Sequence, residues 1–299
     1  MAYNGFGKSF VYLSMKIFHS SSELVAHVES VKKLGQSVGF VPTMGALHHG
    51  HLSLIESSIK ENDITIASIF INPLQFNNEN DFINYPQTPD RDSLMLQNAG
   101  CDLLYLPIKE ELYPPGSIQI FDLHGLDVPM EGRHRPGHFQ GMANVVFRFF
   151  QIIQPNRAYF GLKDYQQFII IKNCIAPLFS KLEIKGVHTL RESSGLAMSS
   201  RNMRLTDSQK QQASCVYRLL KTQLNQLGEK KVGVLTKEIE AAFKAWEELR
   251  LEYVDFAEEN TLAPWKEKGD PKQFRIFIAF YAGETRLIDN LGFGELSLY

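Results

Sequence analysis

The sequence predicts an α/β fold in which a parallel sheet with its helices is followed by a smaller C-terminal α+β domain. Two observations lead to this prediction. Short apolar segments alternate with segments of helical periodicity through the first two-thirds of the chain, which is typical of right-handed βαβ units and a parallel sheet. After residue 190 the order changes to two helical segments followed by grouped strand-like segments, which is typical of a separate α+β unit.

The elements of the first unit are predicted from composition and periodicity. Segment 37–43 (SVGFVPT) is apolar and segment 63–71 (DITIASIFI) is rich in β-branched residues, so both are predicted strands. Segment 88–100 begins with Thr-Pro-Asp and ends with glycine, which are helix boundary signals. The predicted strands are 37–43, 63–71, 101–107, 157–161 and 182–190, and the predicted helices are 50–61, 88–100, 141–154 and 164–179.

The second unit is predicted from the same signals. Its helices are expected at 206–227 and 234–248, and its strands at 251–257, 274–283 and 286–293. We therefore divide the chain into a tail at 1–14, a first domain at 15–189 and a C-terminal domain at 190–299.

Composition narrows the class of function. The chain has 299 residues and a formal net charge of −2, which argues against nucleic acid or an anionic membrane as the main partner. No apolar run approaches the roughly 20 residues that a membrane helix needs. The three cysteines lack CxxC spacing, so neither a zinc site nor a redox pair is indicated. Their odd number fits a reducing compartment, and we expect a cytoplasmic protein.

A histidine-rich segment follows the first predicted strand, and FVPTMGALHHGHLSLIE runs from Phe40 to Glu56. Gly45 permits a tight turn, after which the helix offers free N–H groups at its positive end, a ready anion site. An unoccupied helix N-terminus disfavours imidazolium, whereas bound phosphates favour it. His48 and His51 are therefore expected to be neutral when the site is empty and protonated beside a substrate. The alternative is a pair of surface histidines on a helix end.

Three further polar clusters follow predicted strands, where ligands bind in doubly wound sheets. Asn72 and Gln75 follow segment 63–71, and neutral amides there suit hydroxyl and carboxylate groups. FGLKDYQQ (160–167) supplies a mobile cation and a helix start. GLAMSSRNMRLT (195–206) carries hydroxyls and an arginine that can fold over phosphates. An ordinary turn, a capped helix and a solvated loop are the respective alternatives.

Together these segments resemble the pantoate–β-alanine ligase family. PTMGALHHGH is similar to that family's form of the HxGH signature of the nucleotidyltransferase superfamily, which alone would indicate only the superfamily. The segments that match the family in order and approximate spacing are PTMGALHHGH, NPLQF, YPQT, RPGHFQGM, FGLKDYQQ and GLAMSSRN. This set of six is specific, and the resemblance spans roughly Met15 to Tyr299.

The resemblance implies an enzyme with a Rossmann-like nucleotidyltransferase domain that binds ATP and pantoate, and a C-terminal domain that acts as a lid. It implies ATP-dependent condensation of pantoate with β-alanine through a pantoyl adenylate, with release of AMP and pyrophosphate. ATP would be a substrate, Mg²⁺ would accompany its phosphates, and the partners would be small molecules and a second copy in a homodimer.

The resemblance also implies roles for individual residues. The ATP-binding residues would be Met44, Gly45, Ala46, Leu47, His48, His49, Gly50, His51, Gly161, Leu162, Lys163, Asp164, Leu190, Met198, Ser199, Ser200 and Arg201. The catalytic residues among them would be His48, His51, Lys163, Ser199, Ser200 and Arg201, with His51 as the proton donor. Gln75 and Gln167 would bind pantoate, and Gln75 would also border β-alanine. The protein ligand of magnesium is left open, with Asp92 as a candidate.

The sequence departs from the family pattern at three places. The family usually has Glu in the place of Leu162, Arg in the place of Gln87 and Thr near Asn144. Leu162 removes a charge beside the predicted ATP segment, although Lys163 and Asp164 are retained. We interpret all three as variation within a working enzyme.

Two other functions remain open at the level of sequence. A nucleotidyltransferase that releases pyrophosphate and stops would share HxGH and the parallel sheet, but would have no use for paired glutamines and an amine-accepting second step. A non-catalytic nucleotide-binding protein would be expected to lose clustered polar residues at random, whereas His48, Lys163 and Arg201 are all present.

Overall fold

A six-stranded parallel sheet forms the first unit of the chain, in a computed structural model that describes residues 15–77, 82–265 and 270–296. The predicted tail at 1–14 lies outside the described residues. The strands are β1 (Lys16–Phe18), β2 (Val38–Thr43), β3 (Ile64–Ile69), β4 (Leu103–Tyr105), β5 (Arg157–Gly161) and β6 (Glu183–Val187). They lie in the order β1-β4-β3-β2-β5-β6. The chain therefore reverses its direction of winding between β2 and β5, and their carboxyl ends flank a crevice.

Helices connect and cover these strands. They are α1 (Ser21–Lys33), α2 (His49–Glu61), α3 (Pro89–Asn98), α4 (Lys109–Leu112), α5 (Glu131–His134), α6 (His138–Ile153) and α7 (Tyr165–Ile170). The side chain of Phe40 on β2 contacts Phe149 and Phe150 of α6, with ring centroids 5.4 and 6.5 Å apart. On the other side, Gly39 lets α2 approach β2, because a Cβ there would lie 2.1 Å from Ser58 Oγ.

The second unit contains a three-stranded antiparallel sheet in the order β7-β8-β9. Its elements are helices α8 (Asp207–Asn225) and α9 (Val232–Lys244) and strands β7 (Leu249–Glu258), β8 (Phe274–Ala282) and β9 (Thr285–Gly292). Helices and strands share a core that includes Leu220, Ile239 and Ile278. The predicted fold class is thus confirmed. The domain boundary at 189/190 stays a prediction.

Several details differ from the sequence-based expectation, among them the short helices α4 and α5, which were not predicted. β1 and α1 were not predicted; β1 has only three residues, two of them exposed, although Leu24, Val28 and Val31 mark the buried face of α1. The predicted helix at 164–179 is broken into α7, a π-helical turn at Ile171–Ile175 and a 3₁₀ turn at Ala176–Leu178. Pro177 explains the break, since it has no N–H and its ring crowds the preceding turn.

A buried ionic cluster joins the two units. The Arg286 guanidinium on β9 donates to both carboxylate oxygens of Glu131 on α5, at 2.8 and 2.7 Å, and also pairs with Glu252 on β7. The Tyr253 hydroxyl donates to Glu131 at 2.9 Å. Burial alone would raise the pKa of Glu131, but the Arg286 hydrogen bonds and charge outweigh it and lower the pKa to about 2. Glu131 is therefore charged, and the pair fixes α5 against the C-terminal sheet.

Within the described residues, no helix has both the length and the apolar character needed to cross a bilayer.

Candidate active site

A cleft of ≈ 250 Å³ opens where the carboxyl ends of β2 and β5 diverge. It is lined by the loops after both strands, by the 3₁₀ turn Pro73–Gln75 (the Gln75 turn), by α6 and by the loop at 188–201. The predicted site residues that line the cleft are Met44, His48, Gly50, His51, Gln75, Gly161, Lys163, Asp164, Gln167, Leu190, Met198, Ser199, Ser200 and Arg201. Segments that are far apart in the sequence are thus brought to one site.

Five predicted ATP-binding residues do not line the cleft: Gly45, Ala46, Leu47, His49 and Leu162. Ala46 and Leu47 are buried, and their N–H groups donate to the Asp92 carboxylate of α3, each at 2.8 Å. His49 is exposed. The structure therefore places the backbone of 45–47 behind the cleft, where it fixes the turn that leads into α2.

Asp92 anchors that turn and does not line the cleft. Its side chain is buried and also accepts a hydrogen bond from Thr88 Oγ1 at 3.0 Å. Among the described residues, no cluster of three or more His, Cys, Asp or Glu side chains is arranged to hold a metal ion. The position of Asp92 does not support it as a magnesium ligand.

His48 and His51 form a reciprocal cap at the start of α2. Nδ1 of His48 accepts the Gly50 N–H at 3.1 Å, and Nδ1 of His51 accepts the His48 N–H at 3.3 Å. A ring nitrogen that accepts an N–H carries no proton, so each neutral ring has its proton on Nε2. The ring centroids are 4.1 Å apart and both rings line the cleft. Two Nε2–H donors therefore stand side by side at a helix N-terminus.

Both histidines titrate far below the ordinary range. Burial, the neighbouring His51 ring and the Lys163 ammonium lower the pKa of His48 to about 3. Burial and Lys163 lower the pKa of His51 to about 4. Both rings are therefore neutral at pH 7, as expected for the site without substrate. The main cause is burial, however, rather than the helix N-terminus that the sequence suggested.

The Gln75 turn forms another wall of the cleft and is held from several sides. The Asn72 amide donates to the Gly141 carbonyl at 3.0 Å and to Gln75 Oε1 at 3.2 Å. His138 donates from Nδ1 to the Gln75 carbonyl at 2.8 Å. Gly141 permits the close approach of α6, since a Cβ there would lie 2.0 Å from the Leu74 carbonyl oxygen. The Gln75 side chain is thus held in place at the cleft before a substrate arrives.

The loop at 190–201 is held by hydrogen bonds within itself. Met198 N–H donates to the Leu190 carbonyl at 3.0 Å, which closes a hairpin, and Ser199 Oγ accepts the Arg201 N–H at 3.3 Å. Asn202, just beyond, ties the turn to Glu192 and to the Ala197 carbonyl, each at 3.0 Å. This arrangement brings hydroxyl groups and a guanidinium to the cleft, and Met198 lies near the start of α2, since a Cβ on Gly50 would lie 3.5 Å from Met198 Cβ.

A family model described as pantoate-beta-alanine ligase matches residues 16–292. The chain belongs to the pantoate–β-alanine ligase family. The predicted enzyme class is thereby confirmed, and the alternative of a non-catalytic protein is set aside.

Individual relatives agree with this assignment. The chain is 40% identical to a pantothenate synthetase of Bacteroides thetaiotaomicron over 94% of this chain and 100% of the relative. It is 43% identical to a pantothenate synthetase of Cytophaga hutchinsonii over 91% of this chain and 97% of the relative.

Two solved structures are also similar to this chain in fold and sequence. A pantothenate synthetase from Thermus thermophilus has a TM-score of 0.83 at 40% identity and covers 93% of this chain and 99% of its own. A pantoate–β-alanine ligase from Francisella tularensis, described as complexed with beta-gamma ATP and β-alanine, has a TM-score of 0.76 at 37% identity, with 93% and 97% coverage.

None of the three departures from the family pattern lines the cleft. The Leu162 side chain packs towards β6, where a Cβ on Gly186 would lie 2.6 Å from it. Gln87 is exposed. Asn144 is buried on α6, where its amide pairs with the backbone of Gln119. These positions agree with variation that leaves the ligase site intact.

Sequence reasoning gave no role to Arg135 and His138, which line the cleft within RPGHFQGM. Arg135 lies 3.6 Å from Glu131 and donates to the Gln75 carbonyl at 3.3 Å. Sequence reasoning also missed an apolar wall of the cleft, which is formed by Phe70, Met142, Val145, Val146 and Phe149. The wall residues 142, 145, 146 and 149 recur at helical spacing, so the signal was present but did not distinguish a cleft wall from core.

The lowered pKa of a buried histidine predicts how the free energy of unfolding changes with pH. Burial and the Arg135 charge lower the pKa of His138 to about 4, against about 6.5 in an unfolded chain. Between these values only the unfolded chain binds the proton, so stability falls as the pH drops from 6.5 towards 4. We expect His138 alone to cost about 2 kcal/mol at pH 5 relative to pH 7.5. Urea unfolding at both pH values measures this loss.

His138→Gln should reduce that pH dependence, because glutamine has no proton to gain. The matched control is His49→Gln at an exposed position, which should leave the pH dependence unchanged. An unaltered slope in His138→Gln would contradict a buried neutral ring.

Proposed function

We propose that this enzyme joins pantoate to β-alanine in two steps within the one cleft. The pantoate carboxylate attacks the α-phosphorus of ATP, which gives pantoyl adenylate and pyrophosphate. The free β-alanine amine then attacks the acyl carbon and loses a proton, the C–O bond to the phosphate breaks with its electrons leaving on AMP, and pantothenate forms. Adenylation is needed because a carboxylate is a poor electrophile without a good leaving group.

The observation that carries this proposal is that two neutral Nε2–H donors and the Lys163 ammonium, whose charge acts on both rings, line the same cleft. Charge grows on the departing pyrophosphate, and preorganised donors stabilise developing charge most effectively. His48, His51 and Lys163 supply those donors and that charge. Phosphates beside the rings will raise the pKa of each imidazole from its low value. Protonation of His51 takes place at Nδ1 and gives up the hydrogen bond from the His48 N–H, and the imidazolium then donates its Nε2 proton to pyrophosphate.

The other wall suits pantoate, which carries hydroxyls, a carboxylate and geminal methyl groups. Val145, Val146 and Phe149 offer an apolar surface for the methyl groups. Gln75 and Gln167 line the same cleft and offer amide donors and acceptors. The Francisella tularensis relative is described as complexed with β-alanine, which supports β-alanine as a substrate of this chain, and we place its amine beside Gln75.

We propose that Mg²⁺ enters as a complex with ATP and belongs to the substrate. Magnesium keeps several waters and commonly binds through substrate phosphates with few protein carboxylates. The side-chain arrangement fits this, because in the described part of the chain Asp164 is the one carboxylate that lines the cleft, and it already lies 3.7 Å from the Lys163 ammonium.

The homodimer, the lid role of residues 190–299 and the cytoplasmic location remain proposals from the family resemblance. For the homodimer, the structure offers one surface. Gln140 and Asn144 of α6 pair with the backbone of Phe121 and Gln119. Ile118 and Ile120, on the same segment, are left exposed, so this edge of the molecule is suited to contact a second copy.

Positional isotope exchange tests the order of the steps. If an acyl adenylate precedes amide formation, ATP labelled at the αβ-bridging oxygen will scramble its label in the presence of pantoate without β-alanine. Omission of pantoate is the control and should abolish exchange. If exchange required β-alanine absolutely, the two-step reaction would be contradicted. If exchange occurred but the addition of β-alanine released no AMP, the enzyme would be a simple nucleotidyltransferase.

A further inference from the structure

The strand β9 of the C-terminal sheet contacts the loop that carries Lys163. Nδ2 of Asn290 donates to the carbonyl oxygens of Leu162 at 3.0 Å and Lys163 at 2.7 Å. Asn290 is 2% exposed and does not itself line the main cleft. One amide group thus bridges two consecutive carbonyl groups, at the point where the chain leaves β5.

The orientation of this amide is determined by its other partner. Arg275 on β8 donates from Nη1 to Asn290 Oδ1. Because a guanidinium can only donate, the amide oxygen must face Arg275 and the NH₂ group must face the loop. Arg275 is itself held by Glu259 and Glu295, each at 3.0 Å, and stacks over the Tyr165 ring at 4.0 Å. The donor is therefore aimed by a buried network.

The loop needs such an anchor. Leu162–Asp164 forms a single 3₁₀ turn with no side-chain cap of its own. Lys163 reaches the cleft from this turn, and its ammonium lies 3.7 Å from the Asp164 carboxylate. A long flexible side chain places its charge reproducibly only if its backbone is fixed. The Lys163 charge also acts on both histidines, so its position affects the whole phosphate side of the cleft.

We propose that Asn290 is a positioning residue for the adenylation step, which it serves by holding the Leu162–Lys163 backbone so that the Lys163 ammonium meets the phosphates of ATP. This inference rests on the proposed function. It means that a strand of the C-terminal sheet completes the ATP site without touching ATP.

Asn290→Asp is the sharpest test, because it keeps an acceptor for Arg275 and replaces the NH₂ group with an oxygen. That oxygen faces two carbonyl oxygens, so both hydrogen bonds are lost and repulsion is added. We expect kcat/KM for ATP to fall by about 10–100-fold, while the KM for pantoate changes far less. Asn173→Asp is the matched control, since Asn173 also donates to a carbonyl of the second unit, at Asn260, but is exposed and outside the cleft. It should retain wild-type kinetics.

A double-mutant cycle with Lys163→Ala separates positioning from general stability. If Asn290 acts through Lys163, Asn290→Asp will change kcat/KM for ATP by less than about threefold in the Lys163→Ala background. An equal loss in both backgrounds would overturn the proposal, as would wild-type kinetics in Asn290→Asp. Should Asn290→Asp fail to fold, as judged by melting temperature, Asn290→Ser takes its place in the same cycle. Failure of the proposed function would appear differently, as wild-type protein that makes no pantothenate and AMP.

Discussion

Replacing His51 with alanine should slow pantoyl adenylate formation by about 10²–10⁴-fold, the range for one acid–base group. The reason is that the pyrophosphate would leave without a proton donor and without the Nε2–H beside it. Single-turnover adenylation, followed by rapid quench with labelled ATP, measures the step directly. His48→Ala should weaken ATP binding and also slow the reaction, because we propose that the Nε2–H of His48 donates to a phosphate of ATP.

Because His51 also caps a helix, a second variant is needed to separate the loss of the cap from the loss of the proton donor. His51 accepts the His48 N–H, so alanine also removes a helix cap worth about 1 kcal/mol. His51→Asn retains an acceptor near the same place and still removes the acid, so it should restore melting temperature and not the rate. His49→Ala, at an exposed position outside the cleft, should be close to wild type. A damaging His49→Ala beside a near-normal His51→Ala would place the triphosphate elsewhere.

Removing either glutamine amide should impair the use of pantoate far more than the binding of ATP. A polar substrate group that loses its partner in a buried site costs about 1–3 kcal/mol. Gln75→Ala and Gln167→Ala should therefore lower kcat/KM for pantoate by about 10–100-fold. Steady-state kinetics with each substrate varied, together with ATP binding by calorimetry, measures the contrast.

Gln166 provides the matched control, because it is adjacent to Gln167 but structural. Its amide donates to the carbonyls of Leu126 and Pro129 and accepts the Glu131 N–H. Gln166→Ala should lower the melting temperature, but it should not impair kcat/KM for pantoate more than it impairs the binding of ATP. Equal losses for both substrates in Gln75→Ala and Gln167→Ala would place those amides outside the pantoate subsite.

The parts of the fold that sequence predicted are those with strong local signals. Segments 37–43 and 63–71 are apolar or β-branched throughout, and they form the central strands β2 and β3. The rule that ligands bind at the carboxyl ends of such strands then placed His48 and Lys163 at one crevice. β1 gave no such signal, because it is short and largely exposed.

The parts that were not predictable depend on contacts distant in sequence. The Asn290 amide donates to the Lys163 carbonyl 127 residues away, and no local sequence pattern near either residue predicts this hydrogen bond. Arg135 was visible only as part of a matching segment, since its role depends on how the Gln75 turn folds against α6. Burial, which sets the pKa of His48 and His51, is likewise a property of the assembled molecule.

The Glu131–Arg286 ion pair has a consequence for synthesis of the enzyme in the cell. Its two residues are 155 positions apart, so the contact forms only after nearly the whole chain has left the ribosome. The parallel sheet, by contrast, is complete once β6 has emerged, and N-terminal units generally fold first. A nascent chain will therefore pass through a stage in which Glu131 has Arg135 of its own unit at 3.6 Å but lacks the two hydrogen bonds from Arg286. The last strand to be translated adds those two hydrogen bonds and thereby joins the C-terminal sheet to α5.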